Sequence, residues 1–349
     1  MAVYAFLLAL VQVANVLGPE RWWWSGLNLF LPQWIWALPG LAVLALFVTT
    51  RPRLAWLPLL GLAWALGPIM GLQWHPLAGR AIPGTKRFRV MTYNIKWGRR
   101  DTRAALDAIR EANPDVLLLQ DAYQFNQGAL HAMLPGFSIF AVDQYVFATR
   151  LPLLGVTHEM EAVEGAGGGT FRYLRGRVRV GNQAVTIYNV HLITPREGLN
   201  SVRWGWEEGI PAFQDNVDLR LREAVVLKRR LRQEEGPVLL AGDLNAPMPS
   251  VVCKGFERAG LEDAFSSVGN GYGYTYGHYV RLRHSYLRID HVFTSPHLTP
   301  VSCWTGPPEG SDHRPVIADI AVRQNWQAVD SITTETQRAQ RGTEKGGKR

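Results

Sequence analysis

Only two cysteines occur among the 349 residues, Cys253 and Cys303, and no Cys-x-x-Cys pair exists. That excludes a disulfide-dense scaffold and a cysteine zinc or redox site. Charge is nearly missing from the first 75 residues. Glu20, Arg21, Arg51 and Arg53 are the only Asp, Glu, Lys or Arg there, yet eight of the 13 tryptophans fall in the same stretch. One evenly soluble globule is thereby excluded, and a 47% apolar composition excludes a wholly disordered or collagen-like chain. No internal repeat and no Gly-x-Gly-x-x-Gly loop is present. A concentrated basic stripe is missing as well. The net charge of +8 is spread along the chain, which suits an anionic substrate or an acidic membrane surface better than a nucleic-acid groove.

What fills the charge-poor region is apolar sequence in three stretches, residues 3–18, 27–50 and 54–74. The second and third carry no charge, and about 20 apolar residues suffice to cross a bilayer. Trp22 to Trp24 beside Arg21 have the composition of an interfacial aromatic belt. Residues 1–75 therefore predict about three transmembrane helices in a multi-pass protein of an inner or plasma membrane. Arg51 and Arg53, in the link between the second and third stretches, favour a cytoplasmic link and a C-terminal part outside the cytoplasm.

Residues 76–87, with Pro76, Gly79, Pro83 and Gly84, form a linker. From residue 88 the pattern changes to short apolar runs bounded by Gly, Pro and Asn. Strands are expected at 89–93, 116–119, 145–149, 172–180, 184–190, 238–241, 289–294 and 316–322, and helices at 103–112 and 217–232. This mixture predicts an α/β sandwich over residues 88–323. Residues 324–349 are polar and expected to be disordered. Residues 194–216 contain Gly198, Gly205, Gly209 and Pro211 around Trp204 and Trp206 and read as a long irregular loop.

Chemistry-bearing residues recur directly after apolar strands. Asn94 ends Val-Met-Thr-Tyr-Asn, Asp121 follows Leu-Leu-Leu-Gln, and His191 ends Ile-Tyr-Asn-Val-His. Asp243 and Asn245 form Gly-Asp-Leu-Asn, Asp290 stands in Arg-Ile-Asp-His-Val-Phe, and Asp312 and His313 form Ser-Asp-His-Arg-Pro. Each alone is an ordinary turn or cap; the series in one chain suits metal-assisted phosphoryl chemistry. Oxygen ligands without cysteine fit Mg²⁺, with Mn²⁺ the alternative. Asp121 and Asp312 are hard ligands, His191 and His313 are donors, Asp243 and Asn245 orient or activate water, and Asp290 fixes the tautomer of His313.

The same motifs resemble the endonuclease/exonuclease/phosphatase superfamily, the DNase I-like fold, over about residues 88–322. The resemblance implies a four-layer α/β-sandwich and Mg²⁺-dependent hydrolysis of phosphate esters. It implies Asn94, Asp121 and Asp312 at the metal, and His191, Asp243, Asn245, Asp290 and His313 in catalysis. One departure stands out: the family's usual Gln-Glu is Gln120-Asp121 here. The N-terminal stretches resemble those of membrane-anchored bacterial members, which implies a lipid-linked phosphate, phosphodiester or pyrophosphate as substrate. Nucleic acid is the family's default alternative, and a catalytically degenerate membrane-bound binding module is the non-enzymatic one. No protein partner is indicated.

Overall fold

The computed structural model describes residues 1–79, 85–98, 100–123, 127–165, 169–279 and 283–323. The expected disordered tail and residues 80–84 of the expected linker lie outside these. Twelve strands among the described residues form two six-stranded sheets. They are β1 (Lys86–Asn94), β2 (Val116–Gln120), β3 (Ser138–Val142), β4 (Tyr145–Thr149), β5 (Leu153–Ala162), β6 (Thr170–Val180), β7 (Gln183–His191), β8 (Val238–Asp243), β9 (Glu262–Asp263), β10 (Asp290–Thr294), β11 (Leu298–Thr305) and β12 (Val316–Val322). One sheet has the order β11-β12-β1-β2-β4-β3 and the other β5-β6-β7-β8-β10-β9. All eight expected strands are present, and each is interior to its sheet. The four unexpected ones, β3, β5, β9 and β11, are the four edges. Edge strands bury only part of one face and carry polar residues or proline, which blurs the apolar signal. β5 reads Leu-Leu-Gly-Val-Thr-His-Glu-Met-Glu-Ala, and β11 contains Pro300 beside a register shift.

The α-helices are α1 (Ala2–Leu17), α2 (Trp23–Asn28), α3 (Ala37–Thr50), α4 (Trp56–Trp64), α5 (Thr102–Ala112), α6 (Gln127–Met133), α7 (Arg196–Trp204), α8 (Trp206–Leu231), α9 (Val251–Glu257) and α10 (Ala264–Val268). Three apolar clusters define four layers. Ala105, Ile109 and Leu130 of α5 and α6 pack on Met91, Leu117 and Val146 of the first sheet. Phe88, Val90 and Leu118 of that sheet meet Leu174, Ile187 and Leu239 of the second. The outer face of the second, with Tyr188 and Leu240, is covered by Leu227 of α8 and Phe256 of α9. The four-layer α/β-sandwich is thus present.

Two expectations change. Residues 194–216 are not an irregular loop but α7 and the start of α8. Gly198 and Gly209 do not break helices there; they let the two helices touch. A Cβ on Gly209 would lie 2.4 Å from the Ser201 carbonyl oxygen, and one on Gly198 would lie 3.0 Å from the Phe213 Cα. The second correction concerns the expected three spans. Among the described residues one helix, Gln33–Thr50, is long and apolar enough to cross a membrane. The first stretch gives the 16-residue α1, and the third is split into α4 and a π-helical turn, Ala65–Ile69, around Pro68. Pro68 offers no N–H, so the regular α-helical ladder stops before it. The second stretch is trimmed at its start by Pro32, which precedes the turn Gln33–Trp36.

Gly176 of β6 faces the ring of Phe147 of β4 across the sandwich, and a Cβ there would lie 2.3 Å from the ring. Gly155 of β5 has open space around its Cβ position. Gly176→Ala is expected to cost about 1–3 kcal/mol through overpacking. Gly155→Ala is expected to leave stability unchanged or slightly raised. Thermal unfolding of both variants checks this; equal melting temperatures would remove the sheet-to-sheet contact from the account.

Candidate active site

Strand register assembles the site. β8 lies between β7, with which it is parallel, and β10, with which it is antiparallel. These pairings put His191 and Asp290 on either side of Asp243. In the other sheet β1 and β2 run parallel, with Asn94 beside Gln120. The two rows meet where Asn94 Nδ2 donates to Asp243 Oδ2 at 3.0 Å. Behind that contact Gln120 Nε2 donates to Asn189 Oδ1 at 2.7 Å, and Asn189 Nδ2 donates to the Leu119 and Val146 carbonyls. Buried polar groups thus tie the sheets together at the end where the site lies.

The glycine before Asp243 has a physical reason. Gly242 sits at φ 150°, and a Cβ there would lie 1.9 Å from the Val190 carbonyl oxygen. No other residue lets β7 and β8 close at this point. Turns around the site also use left-handed backbone: Lys96 (φ 47°), Trp97 (φ 66°), Asp121 (φ 52°) and Asn245 (φ 49°). Asp and Asn tolerate that region better than most side chains.

Both imidazoles are held by one nitrogen and aim the other at the same oxygen. His313 Nδ1 donates to Asp290 Oδ2 at 2.8 Å, and its Nε2 lies 3.7 Å from Asp243 Oδ2. His191 Nδ1 donates to Gln144 Oε1 at 2.6 Å, and its Nε2 lies 3.5 Å from the same oxygen. Asp243 Oδ1 accepts from the backbone N–H of Asn245. Asp243 is fully buried. Its carboxyl is raised by burial and by the neighbouring Asp290 charge, against the opposing pull of His313 and His191. Burial opposes the charge on His313, but the Asp290 and Asp243 carboxylates outweigh it and push the imidazole up to about 9. His313 is therefore an imidazolium at neutral pH.

A cavity of about 610 Å³ opens over these groups. Asn94, Asp121, His191, Asp243, Asn245 and His313 line it. Asp290 and Asp312 do not: Asp290 stands behind His313, and Asp312 lies 4.0 Å from Arg196. Ser311 fixes the Asp312–His313 turn by donating to the Asn94 carbonyl. Lys96, Arg172 and Arg196 put positive charge around the cavity, with Lys96 Nζ 3.9 Å from Asp121.

Sequence reasoning missed Gln144, Arg196 and Glu223. Gln144 lies in the β3–β4 turn beside an unrecognised edge strand, Arg196 lies on a helix that the glycines concealed, and Glu223 lies in the expected helix 217–232, whose cavity-facing side the sequence does not mark. Gln120 stood in a quoted motif without its cross-sheet function being visible. His291, next to Asp290, points to the opposite face of β10, where its Nδ1 donates to Asp263 Oδ1 at 3.2 Å and its Nε2 donates to the Ala246 carbonyl at 3.0 Å, away from the cavity.

The residues fit a divalent cation. The Asp243 and Asp290 carboxylates lie with His313 in a buried group whose ligand-type atoms are all within 4.8 Å of one another, and Asp290 Oδ1 is buried with no hydrogen-bond partner; the charged His313 has no lone pair for a metal, so the carboxylate oxygens carry the fit. Two adjacent buried carboxylates with an unsatisfied oxygen suit a hard ion, and there is no thiolate in the group. This group differs from the Asn94, Asp121 and Asp312 set expected from sequence. Asn94 and Asp121 line the cavity beside it, and Asn94 touches it through Asp243.

The sequence profile of the endonuclease/exonuclease/phosphatase family matches residues 91–313. No curated protein matches the chain. Solved structures share the fold at low identity. An endonuclease/exonuclease/phosphatase from Beutenbergia cavernae is 19% identical with a TM-score of 0.50, covering 68% of this chain and 72% of its own. A family protein from Bacteroides thetaiotaomicron is 15% identical with a TM-score of 0.51, covering 69% and 100%. A mannosyl-6-phosphatase from the same species is 15% identical with a TM-score of 0.50, covering 67% and 99%.

Glu223, on the cavity wall, accepts from the Ile193 N–H at 2.7 Å. Burial pushes its carboxyl up to about 7, against that hydrogen bond and the Arg220 charge. A carboxyl raised in the fold destabilises it once the unfolded chain ionises, so stability falls as pH rises from about 4.5 to about 7. Glu223→Gln keeps an acceptor for Ile193 and removes that loss. The variant is expected to match the parent at pH 5 and exceed it at pH 8 by on the order of 3 kcal/mol at most. Denaturant unfolding at the two pH values checks this; a constant difference would refute it.

Proposed function

Because the chain belongs to the endonuclease/exonuclease/phosphatase family, and so is a metal-dependent hydrolase of phosphate ester bonds, we propose that it is a membrane-anchored, Mg²⁺-dependent phosphoesterase acting on a lipid-linked phosphate. One observation carries the reading. Phe30, from the charge-poor N-terminal region, lines the same cavity as Asp243 and His313. A substrate entering there meets the apolar region before it meets the carboxylates.

Further features support the anchoring. Val3, Phe6, Leu38, Leu41, Leu59 and Leu60 of α1, α3 and α4 are exposed. Unpartnered apolar surface on this scale marks a membrane or protein contact. Arg51 and Arg53 sit in the turn joining α3 to α4. The sandwich contacts the other ends of these helices: Lys254 bonds the Asn15 and Val16 carbonyls, and Tyr272 and Tyr274 donate to the Leu66 and Met70 carbonyls. A cytoplasmic turn at Arg51 and Arg53 accordingly leaves the sandwich on the outer side.

A bound Mg²⁺ supplies charge neutralisation on the phosphoryl oxygens. Asn94 and Asp121, beside the Asp243–Asp290–His313 group, are the cavity residues that would hold it. The protein's own groups do the rest. His313, kept protonated by Asp290, donates through Nε2 to a phosphoryl oxygen. His191, its tautomer fixed by Gln144, donates from the other side when charged. Asp243 holds the attacking water and takes its proton as the water oxygen bonds phosphorus and the ester P–O bond breaks, the leaving oxygen taking a proton from solvent; Asn245 fixes Asp243 through its backbone N–H. Lys96 and Arg196 attract the anionic substrate.

Asp243→Asn and His313→Ala should each lower turnover of a soluble phosphodiester by about 10²–10⁴-fold with the fold retained. Steady-state assays with Mg²⁺ and circular dichroism measure both; parent-like turnover in either variant sinks the assignment.

Trp204 is 82% and Trp206 60% exposed, and Trp206 meets Trp23 edge-on at 5.8 Å between centroids. Neither ring is core. Exposed indoles beside an apolar region seat at a bilayer boundary. The double variant Trp204→Ala, Trp206→Ala should raise KM for a lipid phosphate in vesicles roughly three- to ten-fold. Hydrolysis of a soluble phosphodiester should not change. Equal losses on both substrates would point to misfolding, and no loss on either would leave the rings without this function.

A further inference from the structure

A second cavity, of about 410 Å³, lies between the N-terminal helices and the sandwich. Val16, Leu29 and Ile69 form its wall on the helical side, and Met248 and Tyr274 on the sandwich side. It is an open cleft, and although Gln12, Gln33, Glu257 and Arg288 also line it, most of its surface is apolar, which suits a hydrocarbon chain. Two residues connect it to the chemistry. Tyr286 and Leu287 line both this cavity and the catalytic one. They are followed by Arg288, which lines the second cavity, and Ile289, which lines the first. Lys254, which also lines the cavity, is already taken by the Asn15 and Val16 carbonyls at the C-terminus of α1, so it is not left to bind a second phosphate.

We infer that this cavity holds the hydrocarbon chain of the substrate while its phosphate sits over Asp243 and His313. The inference rests on the lipid-linked reading above and adds where the chain goes. Tyr286 and Leu287 are the threshold between headgroup and tail. The walls discriminate chain length, because each further methylene buried there adds to binding until the cavity is full. An acyl and an isoprenyl chain present the same chemistry to these walls.

The test uses the full-length protein in detergent with Mg²⁺ and two substrate pairs: short and long prenyl monophosphates, and dihexanoyl and dioleoyl phosphatidate. The parent is expected to favour the long member of one pair by about ten-fold or more in kcat/KM, expressed in KM, since a few buried methylenes suffice. The favoured pair identifies the chain as isoprenyl or acyl. Val16→Trp and Met248→Trp fill the cavity from opposite walls, and neither residue lines the catalytic cavity. Each should abolish the long-chain advantage while the short member is turned over as by the parent. Val16 is an exposed position of α1, so that variant remains informative if Met248→Trp fails to fold. A long-chain advantage that survives in folded variants overturns the tail site and leaves the lipid reading standing. A parent that hydrolyses a soluble phosphodiester but shows no length preference in either pair removes the lipid reading and the tail site together.

Discussion

Everything at the site depends on one row of residues across three strands. His191, Asp243 and Asp290 are register partners on β7, β8 and β10. Side chains alternate along a strand, so a slip of one residue in either pairing would turn one partner to the opposite face. The row also concentrates a cost. Asp243 and Asp290 are both buried carboxylates, and placing like charges together away from water is unfavourable. His191 offsets it from the neighbouring strand of the same sheet, and His313, in the turn before β12, and Asn94, at the end of β1, offset it from the other sheet. The sandwich and the chemistry are therefore coupled: the contact that closes the two sheets is also the contact that orients the central carboxylate.

Much of this arrangement was legible in the sequence, and what was not has a common cause. Most of the eight interior strands bury both faces and leave continuous apolar runs, and β6 leaves an alternating one, so they could be read directly. The four edges could not, because β5, β9 and the Pro300-containing β11 answer to solvent as much as to the core. Asn94, Asp121, His191, Asp243 and Asn245 were legible because each ends or follows an interior strand, while Asp290 opens β10 and Asp312 and His313 precede β12. Gln144 was hidden because it follows an edge. Gly198 and Gly209 misled for a different reason. They resemble helix breakers when only chain conformation is considered, but they serve the contact between α7 and α8, which is a tertiary requirement. The third apolar stretch misled by composition: its hydropathy is continuous, while Pro68 interrupts its backbone.

The N-terminal region joins the sandwich by a series of polar contacts, from Asn15 to Gly79. Glu20, the sole acidic residue among the first 75, accepts from the Val251 N–H and the Ser250 hydroxyl at the start of α9. An anion there meets the free N–H groups of the helix N-terminus. Ser250 lies five residues beyond Asn245 in sequence, with Pro247 and Pro249 stiffening the path between them. Apolar contact at the same junction comes from Phe30 against Phe213. The junction is thus neither a flexible tether nor a continuous core.

The left-handed turns at Lys96, Trp97, Asp121 and Asn245 carry a consequence for how this sequence would respond to selection. Each non-glycine residue held there stores about 1–3 kcal/mol of backbone strain. A screen that rewarded heat resistance alone would find relief at these four positions first, by drifting toward glycine. The survivors would be sturdier but would have shed Lys96, Asp121 and Asn245, three of the side chains that line the cavity. Directed evolution of this protein toward durability would need activity as a second criterion from its first round.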